Sequence, residues 1–215
     1  MNKCYKEYGR RNALTKDQFA LRLKNACAAV EAAEQELTEI DSHFGDADHG
    51  LTMTKIARAV SSAVEQSEGG VQDLLDAAAT AVMTLNGGSA VPLWNTWLDG
   101  MQEAALEGDE IDAAGIRAVF AQGLEELSDM SGAQVGDKTM MDAVIPASRA
   151  IAAYAGEDED GLFAAAAKAA MEGAEATRGF ASKFGRAKSY GEKTIGTPDA
   201  GAMSMAYFFQ GLAQT

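Results

Sequence analysis

Apolar residues recur every three or four positions from Phe19 through Leu23, Ala26, Val30, Ala33 and Leu37 to Ile40. That spacing lays one apolar stripe along a helix face, and such a stripe needs a second surface to pack on. Thr15 and Gln18 supply a capping box at its start. The same period predicts a second helix from about Leu51, with Met53, Ile56, Val60 and Val64 on one face, broken by glycine at 67–70. A third helix runs from Val71 to about Leu85. A fourth starts near Val91 or Pro92, since proline suits a first helical turn. A fifth covers roughly Asp112 to Leu127. A sixth starts near Asp137, with a kink expected at Pro146. A seventh spans roughly Gly161 to Phe180, and an eighth ends near Gln210.

Alanine dominates the apolar residues, and aromatics are only 7% of the chain. Alanine is the best helix former, whereas strands favour β-branched and aromatic side chains. No run reads as a strand, and no repeat of fixed period is present. The 215 residues suffice to bury a core without disulfide or metal staples. No linker divides them, so one domain at 15–215 is expected behind a flexible tail at 1–14.

Four glycine-containing loops, at 41–52, 86–91, 131–140 and 183–201, hold nearly all the unusual polar residues. They follow the first, third, fifth and seventh helices. Short connections make consecutive helices antiparallel, and alternate loops of an up-and-down bundle share one end. The expected fold is all-α, an eight-helix antiparallel bundle with these loops gathered at one end.

The net charge is -14. No basic stripe is present of the kind that displaces counterions from a duplex, which argues against nucleic acid as a partner. A polyanionic small ligand needs a divalent cation to reverse this field locally, which favours a metal-nucleotide over a bare phosphate. Cys4 and Cys27 form no CxxC or Cys/His cluster and read as reduced thiols of a cytoplasmic protein. No signal peptide is indicated, and no apolar run approaches the ~20 residues that span a bilayer.

The first loop carries Asp41, Asp46 and Asp48. Three carboxylates so close together repel one another unless they share a cation, and hard oxygen donors suit magnesium, manganese or calcium. A solvated acidic turn is the plainer alternative. An EF-hand is a poor match, because the twelfth position from Asp46 is Ala57 rather than glutamate. His49, Gly50, Leu51 and Thr52 open the second helix, where free backbone N–H groups make a natural phosphate cradle. His49 reads as a positioning residue there; helix capping is the alternative. The second loop, Asn86 to Pro92, is another glycine-rich turn entering a helix, with Gly88, Ser89 and Ala90 at its centre. No GxxxxGK[ST] and no protein-kinase signature are present.

The third loop runs through Gly136, Asp137, Lys138, Thr139 and Met140. Asp137 suits a helix cap or a ligand contact equally, and Met140 suits the core or a nucleobase. In the fourth, Arg186 offers a guanidinium for phosphate, and Asp199 with Gly201 opens the last helix, Asp199 being a ready N-cap. Trp94 and Trp97 stand at helical spacing and read first as core, with a partner-facing role as the alternative.

Together the four loops resemble the nucleotide-binding L subunit (DhaL) of dihydroxyacetone kinases. The match is carried by Asp41, Gly45-Asp46-Ala47-Asp48-His49-Gly50, Gly87-Gly88-Ser89 through Trp94, Gly136-Asp137-Lys138-Thr139-Met140, Gly185-Arg186-Ala187, Gly191 to Gly196, and Asp199 with Gly201. The resemblance covers nearly all of the chain past its first dozen residues. It implies an eight-helix antiparallel barrel with ADP or ATP at one end and two Mg²⁺ ions on Asp41, Asp46 and Asp48. It further implies nucleotide contacts from His49, Gly50, Leu51, Thr52, Gly88, Ser89, Ala90, Thr139, Met140, Arg186, Asp199 and Gly201.

The partners it implies are a K-type subunit that holds the keto-sugar and, in one branch, a phosphotransferase-system phosphocarrier, the M subunit. A homodimer is a further expectation. Ala90, Val91, Asn95, Thr52, Lys193-Thr194 and Thr197 depart from the family pattern, which opens the choice of ketose to an erythrulose. Two alternatives stand beside this: a nucleotide-responsive module contacting a transcription factor, and the ATP-binding part of a fatty-acid kinase.

Overall fold

A computed structural model describes residues 13–215. The expected tail, with Cys4, lies outside the described residues up to position 12. Ala13 and Leu14, placed in that tail by the sequence, belong to a short strand.

The elements are β1 (Ala13–Thr15), α1 (Lys16–Ala32), α2 (Glu34–Ser42), α3 (His49–Gln66), α4 (Val71–Met83), α5 (Ala90–Ala104), β2 (Glu110–Asp112), α6 (Ala113–Ser131), α7 (Met141–Ala153), α8 (Glu159–Ala176) and α9 (Ala200–Leu212). Two 3-10 segments, Thr177–Gly179 and Arg186–Thr194, lie between α8 and α9. The fold is all-helical, as expected, with three refinements. The first predicted helix divides at Ala33, whose ψ of 4° ends α1. The apolar stripe passes through the break, so periodicity does not report it. Asp137 lies in a turn, and the sixth predicted helix, α7, begins only at Met141. Third, β1 and β2 pair antiparallel, with Leu14 opposite Ile111. These strands are three residues each, too short for alternation to reveal.

The helices pack in a closed ring: α1 on α3, then α4, α5, α6, α7, α8, α9 and back to α1, with α2 against α3 and α9. Such a ring buries the inward stripe of every helix at once. At its centre Trp97, fully buried, meets Trp94, Phe208, Phe120 and Phe209 at ring-centroid distances of 5.5 to 6.0 Å. Tilted and edge-to-face pairs of this kind add roughly 0.5–1.5 kcal/mol each beyond area burial. The tryptophans are therefore core.

Glycine lets neighbouring backbones approach where the ring closes. A Cβ on Gly211 of α9 would lie 2.3 Å from the Ala26 Cα of α1. One on Gly173 of α8 would lie 2.0 Å from the Asp142 carbonyl of α7. Four residues on from Asp142 is Pro146, which has no N–H to donate to that carbonyl.

One end of the ring is tied by β1–β2 and by Arg22, which donates to the Leu212 carbonyl at 2.9 Å, pairs with Asp160, and lies over the Phe163 ring. The connections α2–α3, α4–α5, α6–α7 and α8–α9 all emerge at the other end. No helix among the described residues is long and apolar enough to cross a membrane.

Candidate functional site

The four glycine-bearing loops enclose one cavity of about 500 Å³. Asp41 sits in the last turn of α2, not after it. Its carbonyl accepts the Gly45 N–H at 2.7 Å, and its Oδ2 accepts the Asp48 N–H at 3.2 Å. A Cβ at Gly45 would lie 1.9 Å from Asp41 Oδ1, so only glycine fits. Ala47 adopts φ +59°, a left-handed residue between Asp46 and Asp48 that costs roughly 1 kcal/mol.

The result is one carboxylate oxygen from each of Asp41, Asp46 and Asp48 within 4.8 Å of the others. Oxygens around an octahedral magnesium ion lie ~2.9 Å apart in adjacent positions and ~4.2 Å apart in opposite ones. The three carboxylates therefore close by roughly an ångström to share an ion, and all three line the cavity. Hard oxygen donors at this spacing fit Mg²⁺. The nearest cation in the described structure is Arg186, whose Nη1 lies 2.7 Å from Asp46 Oδ2. The Phe44 and Tyr190 rings, 5.3 Å apart, make a second contact between the same two loops.

His49 is the first residue of α3. Its Nε2 lies 3.3 Å from Ser204 Oγ, and the Ser204 hydroxyl donates to the Gly201 carbonyl at 2.8 Å. With that hydroxyl proton committed, His49 donates from Nε2. Burial lowers its pKa, against the opposing pull of Asp41 and Asp48, so the ring is neutral near pH 7. Thr52, one turn on, also lines the cavity. Gly50 and Leu51 do not. A Cβ on Gly50 would lie 2.1 Å from the Glu34 carbonyl, so this glycine lets α3 approach α2, and Leu51 is 48% exposed.

Gly88, Ser89 and Ala90 line the opposite wall at the N-terminus of α5. A Cβ on Gly88 would meet nothing within 4 Å, so its backbone stands open. A Cβ on Gly87 would lie 2.6 Å from Val91 Cγ2 and 3.1 Å from Thr52 Cγ2. Two of the departures from the resembled pattern, Thr52 and Val91, thus meet at one glycine. A third, Asn95, donates to the Ala79 carbonyl of α4 at 3.0 Å, outside the cavity lining.

The third loop is built on Asp142. This fully buried carboxylate accepts the Gly136 N–H at 2.6 Å and the Thr139 N–H at 2.8 Å. Asp137 does not cap α7; it accepts the Gln134 N–H at 2.8 Å and pairs with Lys183 at 2.6 Å. Thr139 and Met140 line the cavity. So does Lys138, which sequence reasoning left without a role although it lies inside a recognised motif.

In the fourth loop Arg186, Asp199 and Gly201 all reach the cavity. Asp199 caps α9 through the Ala202 N–H at 2.8 Å. Burial, with Asp142 nearby, pushes its carboxyl up to about 7. Phe44, Leu93, Trp94 and Ser204 also line the cavity. Leu93 and Trp94 end the recognised second-loop run, whereas Phe44 and Ser204 lie outside every motif.

The DAK2 domain family matches residues 43–214. The chain is 37% identical to a D-erythrulose kinase of Mycolicibacterium smegmatis over 83% of its own length but 32% of that protein. It thus spans about a third of that relative. It is 32% identical to the ADP-binding DhaL subunit of a PEP-dependent dihydroxyacetone kinase of Listeria innocua, over 92% of this chain and 96% of that subunit. The fold matches a dihydroxyacetone kinase from C. freundii solved with AMP-PNP and Mg²⁺, with a TM-score of 0.70 at 22% identity, covering 99% of this chain and 36% of that one. A family match over most of the chain and a subunit matched nearly end to end agree with the loop geometry, and the chain belongs to the DAK2-domain family of dihydroxyacetone and erythrulose kinases.

Proposed function

We propose that this chain binds Mg-ADP or Mg-ATP in the four-loop cavity and acts as the phosphoryl-donor subunit of a cytoplasmic small-ketose kinase, the ketose being held on a separate K-type subunit. The observation that carries this is the meeting of Asp41, Asp46 and Asp48 oxygens within 4.8 Å at the rim of a mononucleotide-sized cavity. Asp41, Asp46 and Asp48 would hold Mg²⁺, two ions by the resemblance, and the metal would supply neutralising charge for the transferring phosphoryl group.

The chain's own residues orient and enclose. The N-terminus of α5 presents free N–H groups toward the phosphates, with the positive end of its helix dipole. His49, held by Ser204, positions rather than shuttles protons. Arg186 exchanges its Asp46 partner for phosphate, and Met140 packs on the base. Binding of this kind contributes through orientation and electrostatics rather than through a protein nucleophile.

Calorimetry with ADP tests the reading. Binding is expected with Mg²⁺, lost in EDTA, and weakened at least about tenfold in Asp46→Asn, since one charge-assisted contact is worth roughly 1.5–3 kcal/mol. Absence of binding by the wild-type chain at millimolar Mg-ADP overturns it. Gel filtration followed by native mass spectrometry then separates a chain that retains ADP for a phosphocarrier from one that exchanges ATP.

A four-carbon acceptor is the second reading. The erythrulose kinases match at 33 to 37% identity, against 27 to 32% for the dihydroxyacetone kinase subunits. Kinase assays with the K-type partner and each ketose decide between them.

A further inference from the structure

Lys138 is buried, 4% exposed, and adopts φ +61°, a left-handed conformation that an L side chain occupies at a cost. Its ammonium donates to three carbonyls: Thr177 at 2.8 Å, Thr194 at 3.0 Å and Thr197 at 2.5 Å. These carbonyls come from the two ends of the segment that joins α8 to α9. A lysine ammonium has three donors, so this one is fully used within the protein. The acceptors are neutral carbonyls; burial lowers the pKa of the ammonium, and Asp199 and Asp142 nearby oppose that shift.

The three contacts propagate. The Thr177 hydroxyl accepts the Asp199 N–H at 2.8 Å, at the cap of α9. The Thr194 hydroxyl accepts the Ser182 N–H at 2.9 Å and donates to the Gly191 carbonyl at 2.7 Å. The Gly196 N–H donates to the Arg178 carbonyl at 2.7 Å. Residues 177–182 and 194–199 therefore form a stem knotted on one ammonium. The tip between them carries Arg186 and Tyr190 and has left-handed glycines at Gly185 and Gly191.

We propose that Lys138 is the positioning residue of the nucleotide site: its ammonium knots the stem of the 177–199 segment so that Arg186 and Asp199 face the cavity. This rests on the nucleotide reading above. Lys138 touches neither metal nor phosphate in this role; it fixes the frame that carries the residues that do. A buried ammonium serves better here than an apolar side chain, because without it three carbonyls lose their donor together.

The test compares wild type with Lys138→Met, which keeps the length and removes the donors. Three readouts are taken at a temperature where near-UV dichroism of the Trp94/Trp97 cluster shows both proteins folded. Trypsin should cut Lys138→Met faster at the exposed Arg186 and Lys188. Mg-ADP affinity should fall at least about tenfold, the weight of one charged hydrogen bond. Affinity for Mn²⁺ alone should not fall, because Asp41, Asp46 and Asp48 lie on another loop; general structural damage would lower both.

Equal Mg-ADP affinity in the two proteins, with wild type binding, overturns the proposal. A wild type that binds no nucleotide overturns the nucleotide reading instead. If Lys138→Met does not fold, hydrogen exchange on wild type decides: the Ser182, Gly196 and Asp199 amides should exchange as slowly as α9, and the amides of 187–192 much faster. Stem amides exchanging as fast as the tip overturn the knot.

Discussion

Replacing Gly211 by alanine sets two effects of opposite sign against each other. In a helix interior, alanine is favoured over glycine by roughly 0.5–1 kcal/mol, because glycine loses more backbone entropy on folding. A Cβ at Gly211, however, would lie 2.3 Å from Ala26 Cα, 2.5 Å from the Asn25 carbonyl oxygen and 2.7 Å from Ala26 N. All three are backbone atoms of α1, so no side chain can swing away, and α1 and α9 must separate along the seam that closes the ring. Overpacking a close-packed interior costs about 1–3 kcal/mol, and rigid backbone on the far side places this case at the upper end. The net expectation is a loss of roughly 2 kcal/mol, which for a chain of this size lowers Tm by about 4–8 °C. Thermal unfolding followed by circular dichroism measures it, with Gly179→Ala as control, since a Cβ there meets nothing within 4 Å. A Gly211→Ala Tm equal to or above wild type would refute the close seam.

Three further outcomes follow from single groups. Because burial raises the folded-state pKa of Asp199 to about 7, its contribution to stability is full below its ordinary value of 3.8 and is lost as pH rises toward 7. Asp199→Asn keeps an N-cap and should flatten the Tm-versus-pH curve between about pH 4 and 7; an unchanged slope counts against a buried acid. Glu159, raised by burial and with Oε1 lacking a hydrogen-bond partner, follows the same sign. Glu159→Gln should raise Tm at pH 8, with the gain shrinking toward pH 4. Asp142→Ala leaves the Gly136 and Thr139 amides without their acceptor and should cost about 3 kcal/mol or more. Urea titration checks it, and a loss under about 1 kcal/mol would mean that water replaces the carboxylate.

The amino-acid sequence alone determines which parts of this protein are helix and which end of the bundle is rich in function. Both are local or nearly so. The stripe from Phe19 to Ile40 reports its buried face through a 3.6-residue period, and Thr15 with Gln18 makes the predicted capping box. Alternation of short antiparallel connections is enough to bring the loops of Asp41, Ser89 and Thr139 to one end of the bundle, where all three line one cavity.

What only the tertiary structure decided depends on partners distant in the chain. The three-residue strands β1 and β2 exist because each has the other to pair with. Gly50 sits in the recognised motif yet serves helix packing, since the Glu34 carbonyl it approaches belongs to another helix. Arg186 finds Asp46, 140 residues away in the sequence. Lys138 finds acceptors 39, 56 and 59 residues away, which no periodicity or spacing rule connects to it. Burial against one's own helix repeats along the chain and is legible there, whereas a hydrogen bond between separate loops is set by where the folded backbone brings the two ends.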